Sequence, residues 1–160
     1  MSSPCVAAPA ETPQIQRAFE LEMAAVARIN EARDSYGLGA LRISAELTRA
    51  ARAHTDVLAR RGCLAREWSD GTPFDKWIAR FYPAGKARIW QVAENLDWST
   101  QALDVQQTVG RWLADPGQRR NLLGRQWRHV GLGVISSHSA PGVYGGQNVV
   151  IAAALFGVRR

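Results

Sequence analysis

The stretch HVGLGV, His129–Val134, alternates apolar side chains with glycine, which is the two-residue period of a β-strand. After a turn-rich segment at Ser136–Gly142, a run of eight apolar residues follows at Val149–Phe156. An apolar run of that length beside turn residues is typical of a buried strand. The two segments therefore predict a C-terminal β-hairpin, against which the rest of the chain packs.

The residues before the hairpin show the helical period instead. Thr12-Pro13 supplies an N-cap and an N1 proline for a first long helix, and Gly37 stands just past its predicted end. Ser44 is the predicted N-cap of a second helix, which Gly62 terminates. The apolar faces consist of Ile15, Phe19, Met23, Val26 and Ile29 in the first helix, and of Leu47, Ala51, His54 and Leu58 in the second.

Shorter elements lie between these helices and the hairpin. They are a helix at Phe74–Phe81, a strand at Trp90–Leu96, a helix from Ser99-Thr100 to Asp115-Pro116-Gly117, and a helical turn at Arg119–Leu123. Helices followed by a hairpin predict an α+β fold, with helices packed on a small antiparallel sheet. A chain of 160 residues is one domain by length, so we expect a flexible tail over residues 1–11 and a single domain over 12–160.

The charge of the chain is positive and almost entirely guanidinium. Lys and Arg number 20 against 14 Asp and Glu, for a net charge of +6, and only Lys76 and Lys86 are lysines. Such a charge permits acidic partners, but the arginines are spread along the chain without a nucleic-acid-binding signature. We therefore expect a mostly solvated basic surface and no specific nucleic acid. The longest apolar run, of eight residues, is far short of the ~20 that a transmembrane helix needs, so no transmembrane segment is predicted.

The two cysteines, Cys5 and Cys63, belong to no C-x-x-C or Cys/His cluster. In an exported protein they could form one disulfide, but sequence alone does not fix the connectivity. The N-terminus, Met1-Ser2-Ser3-Pro4, lacks the basic and apolar regions of a signal peptide. Either the protein is cytosolic or a signal peptide has been removed.

Common catalytic motifs are absent from the sequence. It contains no G-x-S-x-G elbow, H-E-x-x-H pair or phosphate-binding loop. His54 lies on the apolar face of the second helix and is interpreted as a core histidine. His129 and His138 have no evident nucleophile partner.

Six segments, taken in order, resemble the CAP superfamily (cysteine-rich secretory proteins, antigen 5 and pathogenesis-related proteins), and its bacterial SCP-like branch in particular. They are INEARDSYGLGAL, ELTRAARAHTDVLARRG, SDGTPFDKWIARF, VAENLD, VGRWLADPGQRRNLL and HVGLGV, and the match as a whole covers about residues 20–157. The resemblance implies an α–β–α sandwich with helices on both sides of the sheet. It also implies a cleft with two histidines and one or two acidic residues, which binds a divalent metal in many members.

Position by position, the resemblance places the first cleft histidine at Arg66 and the second at Gln118. The cleft glutamate is Glu94, followed by Asn95, and the second acidic residue is Asp115. A guanidinium has no lone pair to offer a metal, and a glutamine amide is a weak ligand for zinc. We therefore predict a cleft without a metal or other cofactor.

Two interpretations of Arg66 remain open at this stage. In the first, its guanidinium forms an ion pair with Glu94, and also with Asp115, in the place of the metal. In the second, Arg66 points to solvent and the cleft is simply degenerate.

The predicted function is that of an exported binding or interaction domain, secreted or periplasmic. Its ligand would lie near the cleft residues, and a cell-envelope component such as a peptidoglycan fragment, or a partner protein, suits the arginine-rich surface. One alternative is a peptidase-like hydrolase with Glu94 as general base and Ser69 nearby, although no histidine completes that set. A second alternative is polyanion binding by surface arginines. The sequence leaves the ligand, any catalysis and the oligomeric state undefined.

Overall fold

The computed structural model describes residues 14–160, which form one sheet with helices on both of its faces. The strands are β1 (Gln14–Arg17), β2 (Arg42–Ile43), β3 (Trp90–Ser99), β4 (His129–Ala140) and β5 (Gln147–Arg159). The helices are α1 (Phe19–Ser35), α2 (Ala45–Arg61), α3 (Phe74–Phe81), α4 (Val105–Ala114) and α5 (Pro116–Leu122), with a 3₁₀ turn at Gly142–Tyr144.

The predicted C-terminal hairpin is confirmed and forms the centre of the sheet. The strand order is β1-β4-β5-β3, with antiparallel neighbours, and the short β2 pairs in parallel with the start of β4. β4 is longer than predicted, because Ser136–Ala140 continues the strand where a turn was expected. The extension has a partner in β1, where Gln14 is opposite His138 and Arg17 is opposite Ile135.

Each face of the sheet has its own helical layer. Val130, Leu132 and Val134 of β4 share a buried cluster with apolar residues of α1, α4 and α5. On the opposite face, Ala153 and Leu155 of β5 pack with residues of α2 and α3. This arrangement confirms the α+β class and the α–β–α sandwich.

The two glycines of HVGLGV lie where α2 crosses β4. A Cβ on Gly133 would lie 2.5 Å from the carbonyl carbon and oxygen of Ala51. A Cβ on Gly131 would overlap the peptide that joins Leu47 to Thr48. The helix backbone therefore rests directly on the strand backbone, and only glycine leaves room for that contact.

The predicted boundaries of α2 and α3 are confirmed. Ser44 caps α2, with its hydroxyl accepting a hydrogen bond from the Leu47 N–H, and Gly62 ends the helix in the left-handed conformation at φ 65°. Asp115, predicted as part of a helix stop, is also the N-cap of α5, and its carboxylate accepts from the Gln118 N–H.

Two predicted helix starts are wrong. The first helix begins at Phe19, because the residues before it donate and accept hydrogen bonds in the sheet as β1. Phe19 and Met23, predicted to face the core, are 54% and 58% exposed. The fourth helix begins at Val105, where Asp104 caps it, and not at Ser99-Thr100. The predicted tail, the Thr12-Pro13 cap and Cys5 lie outside the described residues.

Replacing Gly133 by alanine tests the close approach of α2 to β4. The added methyl would overlap the α2 backbone, and we expect the free energy of unfolding to fall by about 1–3 kcal/mol or more, as in overpacked cores. Gly110→Ala is the matched control, because Gly110 is an exposed position of α4 with nothing near its built Cβ; there we expect a gain of up to about 1 kcal/mol. Urea denaturation measures both, and equal effects at the two sites would contradict the packing argument.

Candidate functional site

A cavity of about 430 Å³ opens at the edge of the sheet beside β3. It lies between the segment that joins α2 to α3 on one side and α5 on the other. Its lining consists of Leu64, Arg66, Glu94, Leu96, Asp115, Gly117, Gln118, Arg120 and Asn121. The structure thus brings four of the five predicted cleft residues to one cavity, the fifth, Asn95, lying behind it.

Side chains of the neighbouring helices cover the edge of β3. Gln118 Oε1 accepts a hydrogen bond from the Leu96 N–H at 3.1 Å, and Asn121 Nδ2 donates to the Glu94 carbonyl oxygen at 3.0 Å. Trp112 Nε1 donates to the Leu96 carbonyl oxygen at 3.1 Å. These bonds satisfy backbone groups that an edge strand would otherwise leave open.

Asn95 belongs to the same cover and is fully buried. Its Nδ2 donates to the Gln118 carbonyl oxygen at 2.9 Å, and its Oδ1 accepts from Asn121 Nδ2 at 3.1 Å. Asn95 therefore fixes the start of α5 against β3 and does not line the cavity.

The floor of the cavity holds a buried pair that sequence reasoning missed. His54 Nδ1 lies 2.6 Å from Glu94 Oε2, and the two side chains are 0% and 1% exposed. A nitrogen and a carboxylate oxygen at that distance share a proton. His54 Nε2 and Glu94 Oε1 have no hydrogen-bond partner in the described part of the chain. His54 was interpreted as a core histidine, and its complete burial agrees with that interpretation. Its bond to Glu94 was not predicted. The signal that could have shown it is that a buried glutamate needs a hydrogen-bond donor.

Two tryptophan rings pack against the His54 ring. The ring centroid of Trp77 lies 4.6 Å from that of His54, and the Trp68 ring stacks at 6.2 Å. Burial raises the pKa of Glu94 above its ordinary value, an effect opposed by the hydrogen bond and charge of His54 and, more weakly, by the charge of Arg66. This environment disfavours a free carboxylate at Glu94.

Arg66 does not form the predicted ion pair. No carboxylate oxygen within residues 14–160 lies in ion-pair distance of its guanidinium, which instead lies 4.5 Å from the centroid of the Phe74 ring. The physical reason is that the Glu94 carboxylate is already bonded to His54, and both side chains are buried. Asp115, the second expected partner, uses its carboxylate to accept from the Gln118 N–H at 2.8 Å. Arg66 is exposed at the rim of the cavity.

The residues at the expected metal-ligand positions do not fit a metal. A guanidinium stands at Arg66, and the amide oxygen of Gln118 is engaged with the backbone of β3. Over residues 14–160, no group of three or more His, Cys, Asp and Glu side chains is arranged to hold a metal ion. We derive no chemistry through a metal at this site.

Cys63 lies in the segment between α2 and α3 and is not a free thiol. Its predicted partner, Cys5, is outside the described residues, so the pairing itself stays a prediction. No helix within the described range is long and apolar enough to cross a membrane.

The α–β–α sandwich with a cleft at its sheet edge has the architecture that the resemblance implied. The model of the cysteine-rich secretory protein family, CAP, matches residues 26–151, and the chain belongs to this family. None of the curated proteins matches the chain significantly.

Three of the solved structures with the same fold come from bacteria. An outer surface protein of Borrelia burgdorferi superposes with a TM-score of 0.76 at 17% identity, covering 93% of this chain and all 100% of that one. An extracellular SCP-domain protein of Bacillus anthracis gives 0.66 at 18% identity, covering 89% of this chain and 41% of that one. A cysteine-rich secretory protein of Staphylococcus aureus gives 0.57 at 16%, covering 93% and 40%. At these identities the likeness shows the fold alone, and the chain spans less than half of the last two proteins.

The buried pair predicts a pH-dependent stability that Glu94→Gln removes. Because burial raises the pKa of Glu94 above 4.5 in the folded state, its stabilising contribution is complete below that pH and is lost as the pH rises through the folded-state pKa. The variant should therefore gain stability relative to the wild type as the pH rises above 4.5 and through the folded-state pKa of Glu94.

Urea denaturation across that range measures the difference. Glu20→Gln, which removes an exposed carboxyl of α1, is the control for the loss of one acidic group. If the difference in the free energy of unfolding between wild type and Glu94→Gln does not change with pH, Glu94 has the same pKa in the folded and unfolded chains. That result would contradict the prediction.

Proposed function

We propose that the chain is an exported binding domain whose cleft recognises a polar, anionic component of the cell envelope without a metal ion. The ligand would enter the cavity at the edge of β3 and meet the guanidinium groups of Arg66 and Arg120. A peptidoglycan fragment with free carboxylates has the required chemistry. This proposal keeps the binding cleft that the sequence predicts. It differs in one respect, because Arg66 pairs with the ligand and not with Glu94.

The observation that carries the proposal is the pair of arginines without counter-ions at an open cavity. Arg66 and Arg120 both line it and are exposed, and neither forms an ion pair with a described residue. Guanidinium groups bind carboxylates and phosphates through paired N–H donors. The carboxylates nearby are engaged, Glu94 with His54 and Asp115 with the α5 N-terminus.

Export is supported by the family and by the printed descriptions of similar structures. The family is named for secretory proteins, and the Borrelia and Bacillus proteins are described as outer-surface and extracellular. We therefore propose a secreted or periplasmic location, with a signal peptide removed from the precursor.

A hydrolase is the weaker candidate. The cavity lining contains no Ser, Thr, Cys or His side chain that could act as a nucleophile. Ser69 is exposed and does not line the cavity. Glu94 is buried and bonded to His54, so it is poorly placed to accept a proton from a water in the cleft.

Calorimetric titration with a soluble muropeptide tests the proposal. Arg66→Ala and Arg120→Ala should each weaken binding by about tenfold or more, the effect of losing one charge-assisted hydrogen bond. Zinc or a chelator should leave the affinity unchanged, because no metal takes part.

Arg49→Ala is the matched control, since Arg49 is an exposed arginine of α2 that does not line the cavity. An equal loss in this variant would indicate general electrostatic attraction and would support polyanion binding instead. Tight, stoichiometric zinc binding that depends on Glu94 would overturn the metal-free cleft.

A further inference from the structure

A second cavity, of about 320 Å³, lies apart from the cleft and shares no lining residue with it. It is formed by the end of α1, the loop into β2 and the connection from α5 to β4. Its lining consists of Arg33, Gly37, Leu38, Gly39, Ala40, Arg125, Trp127 and Arg128. Three guanidinium groups therefore meet at one cavity whose lining contains no carboxylate.

Arg33 is the fixed element of this cavity. Its side chain is buried, at 1% exposure, and its Nε donates to the Gly39 carbonyl oxygen at 3.0 Å. Its Nη1 donates to the carbonyl oxygens of Leu122 at 2.8 Å and Gly124 at 3.0 Å. These three bonds hold the guanidinium plane in one orientation, and Nη2 has no hydrogen-bond partner in residues 14–160.

The charge of Arg33 is not neutralised by any of residues 14–160. No carboxylate of the described chain forms an ion pair with it, and burial together with the nearby charge of Arg128 lowers the pKa of its guanidinium. An arginine stays protonated in proteins even so, which means that a buried cation lies beside a second cation at this point. Like charges at close range cost free energy unless an anion lies between them.

Arg125 and Arg128 complete the cationic lining from the connection between α5 and β4. Arg128 Nη1 donates to the carbonyl oxygens of Arg125 at 3.0 Å and Trp127 at 2.9 Å, which holds this side chain against its own loop. Arg125 is exposed and makes no side-chain hydrogen bond or ion pair with the described residues. Its guanidinium is therefore available to bind a ligand.

We propose that this cavity is an oxyanion site that binds a phosphate group, with Arg33 as its rigid donor and Arg125 and Arg128 as its outer cations. A phosphate offers several acceptor oxygens and a charge of about −1.5 to −2 at neutral pH, which matches three converging guanidinium groups better than a single carboxylate does. The site is separate from the cleft at β3, since the two cavities share no lining residue. It is thus a second binding site on the domain, independent of the function proposed for the cleft.

Calorimetric titration of the whole chain with inorganic phosphate at low ionic strength tests the site. We expect one phosphate per chain, and Arg125→Ala should weaken binding by tenfold or more. This variant removes no side-chain hydrogen bond or ion pair with the described residues, so a loss of binding would not reflect unfolding. Arg49→Ala, which removes an equal charge from the surface of α2, should bind phosphate as the wild type does.

A second arm uses glycerol 3-phosphate, and a third uses acetate at matched ionic strength. Binding of both phosphates and not of acetate supports the site, with a tighter glycerol ester indicating that the natural ligand is a phosphate ester. Equal losses in Arg49→Ala and Arg125→Ala, equal binding of acetate that Arg125→Ala weakens as it weakens phosphate binding, or no phosphate binding at millimolar concentration would each overturn the proposal.

Discussion

The direct contact between the backbones of α2 and β4 is the constraint on which the rest of the structure depends. It exists because Gly131 and Gly133 carry no Cβ at the two points where the helix crosses the strand. The contact fixes the distance between α2 and the sheet. It thereby also fixes the positions of the residues one turn further along the same helix face. His54 follows Ala51 by three positions and is thereby held over Glu94 of β3. The pair that forms the floor of the cleft is thus a consequence of two glycines on a different strand.

The other wall of the cleft forms because β3 is an edge strand, whose open backbone groups need hydrogen-bond partners. β3 has one neighbouring strand within the described chain, β5, and its other edge is covered by side chains of α4 and α5. Gln118 takes part in this cover, which explains how an amide can replace the histidine expected there and still be structurally required. Side-chain-to-backbone hydrogen bonds therefore hold α4 and α5 against β3 and give this wall of the cleft its shape.

The sequence predicted the fold well where the signals were local. Ser44 and Gly62 bound α2 through cap chemistry that depends on a few neighbouring residues. It failed where a distant partner decides the outcome: Ile15 fits a helical period, yet pairing with Ser137 of β4 makes it part of a strand. The same reason applies to the cleft. The family resemblance placed Arg66 near Glu94, but only the packing of α2 shows that the carboxylate is bonded to His54.

These contacts show where part of the net charge of +6 lies in the structure. Some arginines elsewhere are paired with acidic groups, as Arg52 is with Glu22 and Arg159 with Glu46, and others, such as Arg49, are exposed on the surface. The five arginines that line the two cavities form no ion pair with residues 14–160; they are Arg33, Arg66, Arg120, Arg125 and Arg128. Unpaired guanidinium groups around concave surfaces create a positive potential that a diffuse basic surface does not. An anion bound in either cavity would neutralise charge that the fold itself leaves uncompensated, and this links the composition of the chain to binding.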